Sequence, residues 1–173
     1  MTRKNLSLLF LLAAAVYWGI WLGGYIFNAL MVVPGWSYDP PGSMIEHDKN
    51  MHILLYFFTA VNPWVFLVSL AAWLFIRKVD TAARPWVGRG TLIAWVMLPL
   101  KIWMITVIGG VFLNALHGTF DAHWAKMMKV WIMLNWVTIA AGSAIFFTHL
   151  LAVLNFHSPR KAEAREAGQI QPA

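Results

Sequence analysis

A chain of 173 residues that is 60% hydrophobic and 12% charged carries roughly half the charge of an ordinary soluble domain, which excludes a water-soluble globule. Its formal charge of +6 is gathered in the flanks of apolar stretches, so it marks a membrane surface and not a nucleic-acid partner. The absence of cysteine removes disulfides, thiolate metal sites and a cysteine nucleophile.

A bilayer core about 30 Å thick takes about 20 apolar residues of helix to cross, so the gaps between charges locate the spans. The first gap, between Lys4 and Asp39, predicts a helix over 6–33. It follows a basic start as a signal peptide would, but it is too long for a signal h-region and lacks a small-x-small cleavage site before Pro34, so it is read as a retained anchor. The stretch from Lys49 to Arg77 predicts a second helix over 51–76, broken near Pro63. Between Arg89 and Asp121 only Lys101 interrupts a third helix over 91–116, and the stretch from Lys129 to Arg160 gives a fourth over 130–155. Residues 1–158 thus form one all-α domain, a four-helix transmembrane bundle, and the short charged segment 159–173 is expected to be a disordered cytoplasmic tail.

Orientation follows from the short flanks, since basic residues resist translocation. Arg3, Lys4, Arg77, Lys78, Arg84, Arg89, Arg160, Lys161 and Arg165 stand on one side, against Lys49, Lys126 and Lys129 on the other. Both termini are therefore placed in the cytoplasm. Trp36, Trp86 and Trp124 fall near span ends, where indole rings favour the headgroup layer.

A helix that faces lipid all round needs no polar side chains, so their spacing shows which face turns inward. Tyr17, Trp21, Gly24 and Asn28 with Tyr25 mark the first helix, and His52, Tyr56, Thr59 and Asn62 the second. The third carries Thr106, Gly110, Asn114 and His117, and the fourth Asn135, Thr138, Gly142 and His149. Of these, Asn28, His52, Tyr56, Asn114, His117 and Asn135 share the outer half, which predicts a polar pocket beneath the loop from Pro34 to Asn50. Plain interhelical adhesion explains Asn and Thr residues taken singly. Lys101 is the one charge inside a span, read either as a functional group or as a side chain that snorkels to the cytoplasmic surface. His47, His52, His117 and His123 lie on the outer side, yet no two are spaced as i, i+4, so no metal site is assigned and the cofactor stays unnamed.

Gly23-Gly24-Tyr-Ile-Phe-Asn28, Pro34-Gly-Trp36-Ser37, Pro40-Pro41, Phe57-Phe58, Asn62-Pro63 and the Trp131-x-x-x-Asn135 pattern resemble the anthrone-oxygenase-like family of four-helix integral membrane proteins. Where that family's pattern has an Arg three residues after the Asn, this chain has Thr138. The resemblance implies oxygen insertion into electron-rich polycyclic aromatics.

Two functions fit the residues. One is an oxidoreductase or oxygenase for a lipid-soluble aromatic or quinone-like substrate, with Asn28, Tyr56, Asn114, Asn135 and Lys101 binding it and His52 or His117 exchanging protons. The other is non-catalytic: an accessory subunit of a larger membrane complex, or a small transporter that works as a homo-oligomer. Membrane lipid is a partner under both, and a bacterial inner membrane suits the short loops. Reporter fusions after Ser43 and Thr119 are expected to report the outside, and fusions at Thr81 and Gly168 the cytoplasm. An inside signal at Thr119 would break the four-span assignment.

Overall fold

The computed structural model describes residues 2–39, 42–43, 45–46, 52–80, 82–108 and 122–156, with side chains for all of these except 36, 52–59 and 122. The described residues are helical, with no strand among them. Helix α1 (Arg3–Phe27) runs without a break through a π-helical segment, Asn28–Val32, into the short α2 (Val33–Ser37). Then come α3 (His52–Ile76), α4 (Arg84–Trp103) with a second π-helical segment, Met104–Ile108, at its end, and the 35-residue α5 (Ala122–Phe156).

Local chemistry sets the helix starts. The Thr2 hydroxyl accepts from the Asn5 N–H at 3.3 Å and caps α1, meeting one of the donors a helix leaves open at its first turn. Between α3 and α4 the Asp80 carboxylate accepts from the N–H groups of Ala82 and Ala83 at 2.8 and 2.9 Å. Pro85 then sits at the opening of α4, where its missing N–H costs nothing.

Each helix packs against two others: α1 on α3 and α5, and α4 on the same pair. Contacts fix the directions. Phe10 stacks on Phe75 and Trp18 meets Phe66, so α1 and α3 are antiparallel. Thr91 bonds the Ser69 carbonyl while Gly88 faces Trp73, which makes α3 and α4 antiparallel. Gly90 lies against His149 and Met104 against Thr138, so α4 and α5 are antiparallel too. The core therefore has a proximal end at Arg3, Ile76, Arg84 and Phe156 and a distal end at Ser37, His52, Ile108 and Ala122. One core cluster is built on Trp18, Trp21, Tyr25, Val65, Phe66, Ala94, Met97, Ile139 and Ile145, and a second, proximal one on Leu11, Ala14, Ala72, Ile76, Val87 and Ala152. Lipid tails are as apolar as leucine, so such helices are held by close packing and interhelical hydrogen bonds, and the small residues Ala14, Ala72, Ala94, Gly90 and Gly142 allow the approach.

Three helices are long and apolar enough to cross a membrane, Arg3–Gly35, Arg84–Ile108 and His123–Phe156. Within α3 the apolar helix Ala60–Ile76 is shorter, although all of α3 is 25 residues long, about 37 Å at 1.5 Å per residue. The outward faces are apolar: Leu9, Val16, Ile20, Leu67, Leu92, Val96, Val137 and Leu154 are all exposed.

The structure corrects several expected limits. The third helix begins at Arg84 and not 91, and the fourth at Ala122 and not 130, because charged residues bound an apolar stretch without ending a helix. Pro63 lies inside an unbroken α3. It removes one backbone donor, and a long helix packed on both sides outlasts that loss. Pro34 and Gly35, expected in a loop, belong to α2, where proline suits the first turn. Trp124, expected at the headgroups, is the third residue of α5 and is fully buried in the protein. The expected tail, 159–173, lies outside the described residues.

A Cβ at Gly142 would overlap the six-membered ring of Trp21, whereas one at Gly23 meets nothing within 4 Å. Trp21 has no room to retreat, being fully buried with its Nε1 donating to Asn62 Oδ1 at 2.6 Å. Gly142→Ala is therefore expected to destabilise the protein by about 1–3 kcal/mol, and Gly23→Ala to leave the thermal midpoint in detergent nearly unchanged. Equal effects from the two would remove the notch from the account.

Candidate functional site

The buried polar side chains fall into two layers. The proximal layer is small. Trp18 Nε1 donates to Ser69 Oγ at 2.6 Å, Thr91 Oγ1 donates to the Ser69 carbonyl at 3.2 Å, and His149 is fully buried against Gly90. His149 Nδ1 is 2.8 Å from the Ile145 carbonyl and so carries the ring proton. Its Nε2 has no partner among the described residues.

The second layer is nearer the distal end and richer. On α1, Trp21 and Tyr25 sit one turn apart with ring centroids 4.1 Å from each other. Asn62 of α3 serves both: its Oδ1 accepts from Trp21, and its side chain is hydrogen-bonded to the Tyr25 hydroxyl. From α4, Lys101 is 4% exposed, and its Nζ stands 4.2 Å from the Tyr25 ring centroid, a cation–π geometry. One turn on from Lys101, Met104 Sδ receives the Thr138 hydroxyl at 4.0 Å. One turn from Thr138, Asn135 is 2% exposed, and neither its Oδ1 nor its Nδ2 has a hydrogen-bond partner among the described residues.

Asn135 is the anomaly. A buried amide without partners costs about 1–3 kcal/mol of desolvation, and most buried polar groups avoid it. On the same helix Thr138 donates across to Met104, while Ser143 and Thr148 bond the Ile139 and Ile145 carbonyls at 2.8 Å. Asn155 likewise folds back onto the Leu151 carbonyl at 2.7 Å, whereas both ends of the Asn135 amide remain open.

Of the residues expected to bind a ligand, Asn28 and Asn135 come to one depth, and Lys101 lies about two turns, roughly 9 Å at 1.5 Å per residue, nearer the proximal end. Trp21 faces Gly142 across the α1/α5 contact. Seven residues on from Trp21 is Asn28, and seven back from Gly142 is Asn135, so the two asparagines share a depth on facing sides. Asn28 is half-buried and opens the π-helical segment, with the Val33 N–H reaching its carbonyl. The second π-helical segment, starting at Met104, packs on α5 at this same level. Such segments are rare and concentrate at functional positions. The backbone of Tyr56 lies six residues from Asn62 toward the distal end, close to the depth of Asn28, and His52 begins α3; their side chains are outside the described set. Asn114, His117 and His47 lie outside the described residues altogether.

Two inward assignments fail. Tyr17 is 36% exposed and its neighbour Trp18 takes the buried face. Thr106 is exposed, with its hydroxyl donating to the Ile102 carbonyl at 2.9 Å. Tyr25 and Met104, which complete the layer, were missing from the expected site. Their signal was positional: Tyr25 is four residues from Trp21, and Met104 three from Lys101. Lys101 does not snorkel. It lies 17 residues from the start of α4 at Arg84, about 25 Å at 1.5 Å per residue, beyond the reach of its own side chain. Among the described residues no group of three or more His, Asp or Glu is arranged to hold a metal ion.

No family model, curated protein or solved structure matches the chain. Asn135 and Asn62 separate a group kept open from a structural one. Asn135→Leu removes an amide that bonds nothing and is expected to leave the thermal midpoint unchanged or raised, while Asn62→Leu strands the Trp21 N–H and should cost about 1–3 kcal/mol. Destabilisation by both alike would make Asn135 ordinary helix adhesive.

Proposed function

We propose that the protein is a four-helix bundle of a bacterial inner membrane, with both ends cytoplasmic. It holds a lipid-soluble aromatic or quinone-like molecule in the layer around Lys101 and Asn135, and acts on it as an oxidoreductase or oxygenase. The observation that carries this reading is the Asn135 amide, buried with both polar ends unmet in the interior of an apolar protein, where no hydrogen-bonding group is retained without cost. Toward the proximal side of Asn135, Tyr25, which faces Lys101, and Trp21 offer aromatic faces, suited to a planar ring. Asn135 and Lys101 supply the groups that orient a carbonyl or hydroxyl. His52, Tyr56, Asn114 and His117 complete the distal side in this reading, with the histidines exchanging protons at the mouth. The motifs that resemble the anthrone-oxygenase-like family point toward the same class of aromatic substrate.

Trp64, Trp95, Trp103 and Trp136 are 41–56% exposed on three different helices, and these favour a second reading, an accessory subunit seated in a larger membrane complex. Purified protein separates the two. The absorption spectrum and metal content identify any co-purifying chromophore, and 1,4-naphthoquinone is titrated while tryptophan fluorescence is followed. Saturable quenching that weakens about tenfold in Asn135→Leu, a loss of about 1.4 kcal/mol, is the expected result. Linear quenching that is identical in both proteins, from a preparation free of chromophore, would sink the small-molecule site and leave the accessory subunit.

A further inference from the structure

We propose that the site selects a lipophilic acid: an apolar molecule whose polar end carries a negative charge, seated on Lys101. This rests on the small-molecule reading above and specifies the class of molecule.

The inventory of polar groups is one-sided. Lys101 has three N–H donors and no acceptor. The one partner of its Nζ among the described residues is the face of Tyr25 at 4.2 Å, which attracts a cation but accepts no regular hydrogen bond. No Asp or Glu occurs in any of the four apolar stretches, so among the described residues the helices offer this amine no carboxylate at its own depth. Two neighbouring acceptors are committed elsewhere: Asn62 Oδ1 receives Trp21, and Met104 Sδ receives Thr138. The open acceptor, Asn135 Oδ1, lies about two turns nearer the distal end and belongs to a neutral amide that brings lone pairs without charge. A single positive charge with spare donors, 4% exposed in an apolar medium, is completed by a group that brings both negative charge and several lone pairs. A carboxylate or an acidic ring hydroxyl does so, whereas a neutral carbonyl supplies lone pairs without charge. Trp21, Tyr25 and Phe66 provide the wall for the apolar body of the molecule.

Such an acid has two sources, an aromatic ring bearing an acidic hydroxyl or a fatty acid released from lipid. The test uses the full-length protein in detergent at pH 7 with three probes: 1,4-naphthoquinone, its acidic relative 2-hydroxy-1,4-naphthoquinone, and palmitate as competitor. Lys101→Met and, should that variant fold poorly, the polar uncharged Lys101→Gln are compared with the unaltered protein. Comparing the same probes across variants cancels their different partitioning into micelles. The hydroxyquinone is expected to lose at least about tenfold in affinity when Lys101 loses its charge, and the neutral quinone less than about twofold. Competition by palmitate would assign the site to fatty acids, and a Lys101-dependent hydroxyquinone signal untouched by palmitate to aromatic acids. Equal losses for both quinones, or none for either, would overturn the selection of acids while leaving a neutral-ligand site in place. No binding of any probe to the unaltered protein would overturn the selection together with the small-molecule site.

Discussion

The indole of Trp21 touches three helices at once. It projects from α1, fills the notch left by Gly142 on α5, and donates its Nε1 proton to Asn62 on α3 at 2.6 Å. Without a hydrophobic force to push helices together inside lipid, association rests on shape and on bonds of this kind, each worth about 0.6 kcal/mol on average. Placing the ring fixes the rest. Tyr25 packs one turn away and shares Asn62, its face then receives Lys101 from α4, and the register set at Gly142 brings Asn135 level with Asn28. A layer with open polar groups thus stands on one whose groups are paired, and the same amide of Asn62 belongs to both.

The division of labour among the polar residues follows from what each can do alone. Serine and threonine in a helix return their hydroxyl to a carbonyl of the preceding turn, as Ser7, Thr106, Ser143 and Thr148 do, and so cost little wherever they fall. Asn155 does the same through its amide, bonding the Leu151 carbonyl at 2.7 Å, and Asn62 finds two partners in the aromatic residues of α1. Among the described residues Lys101 meets only the face of Tyr25 and Asn135 meets no hydrogen-bonding group, so these two, and not the more numerous hydroxyls, are left open to a ligand.

How much of this the sequence revealed depended on the regularity of each helix. On α5, an uninterrupted α-helix, the stripe of Asn135, Thr138, Gly142 and His149 read at 3.6 residues per turn is buried at every position. On α1 the polar criterion chose Tyr17 where the larger, apolar-bodied Trp18 is buried, because indole is both a core residue and a hydrogen-bond donor and a polar scale undervalues it. Thr106 was misplaced because it lies in a π-helical segment, where a fixed 3.6-residue period no longer applies. Helix limits were set from charges, which sense the membrane and not the backbone, so α4 and α5 proved longer than their apolar centres. The meeting of Lys101 with Tyr25 was not legible at all, since no periodicity on one helix specifies which residue of a diagonally opposite helix it will meet.

The two π-helical segments have a consequence for how this fold tolerates change. Each is equivalent to a single residue inserted into an α-helix, which turns everything beyond it by about 100°. Val33–Ser37 on the first helix is therefore out of phase with the part of that helix that holds the core. A deletion of one residue within Asn28–Val32 would restore a regular helix and swing this distal end to a new face while leaving Trp21, Gly142 and the proximal core as they are. The distal rim and the core can thus vary separately, so one scaffold is able to present different side chains above a conserved interior by gaining or losing a single residue.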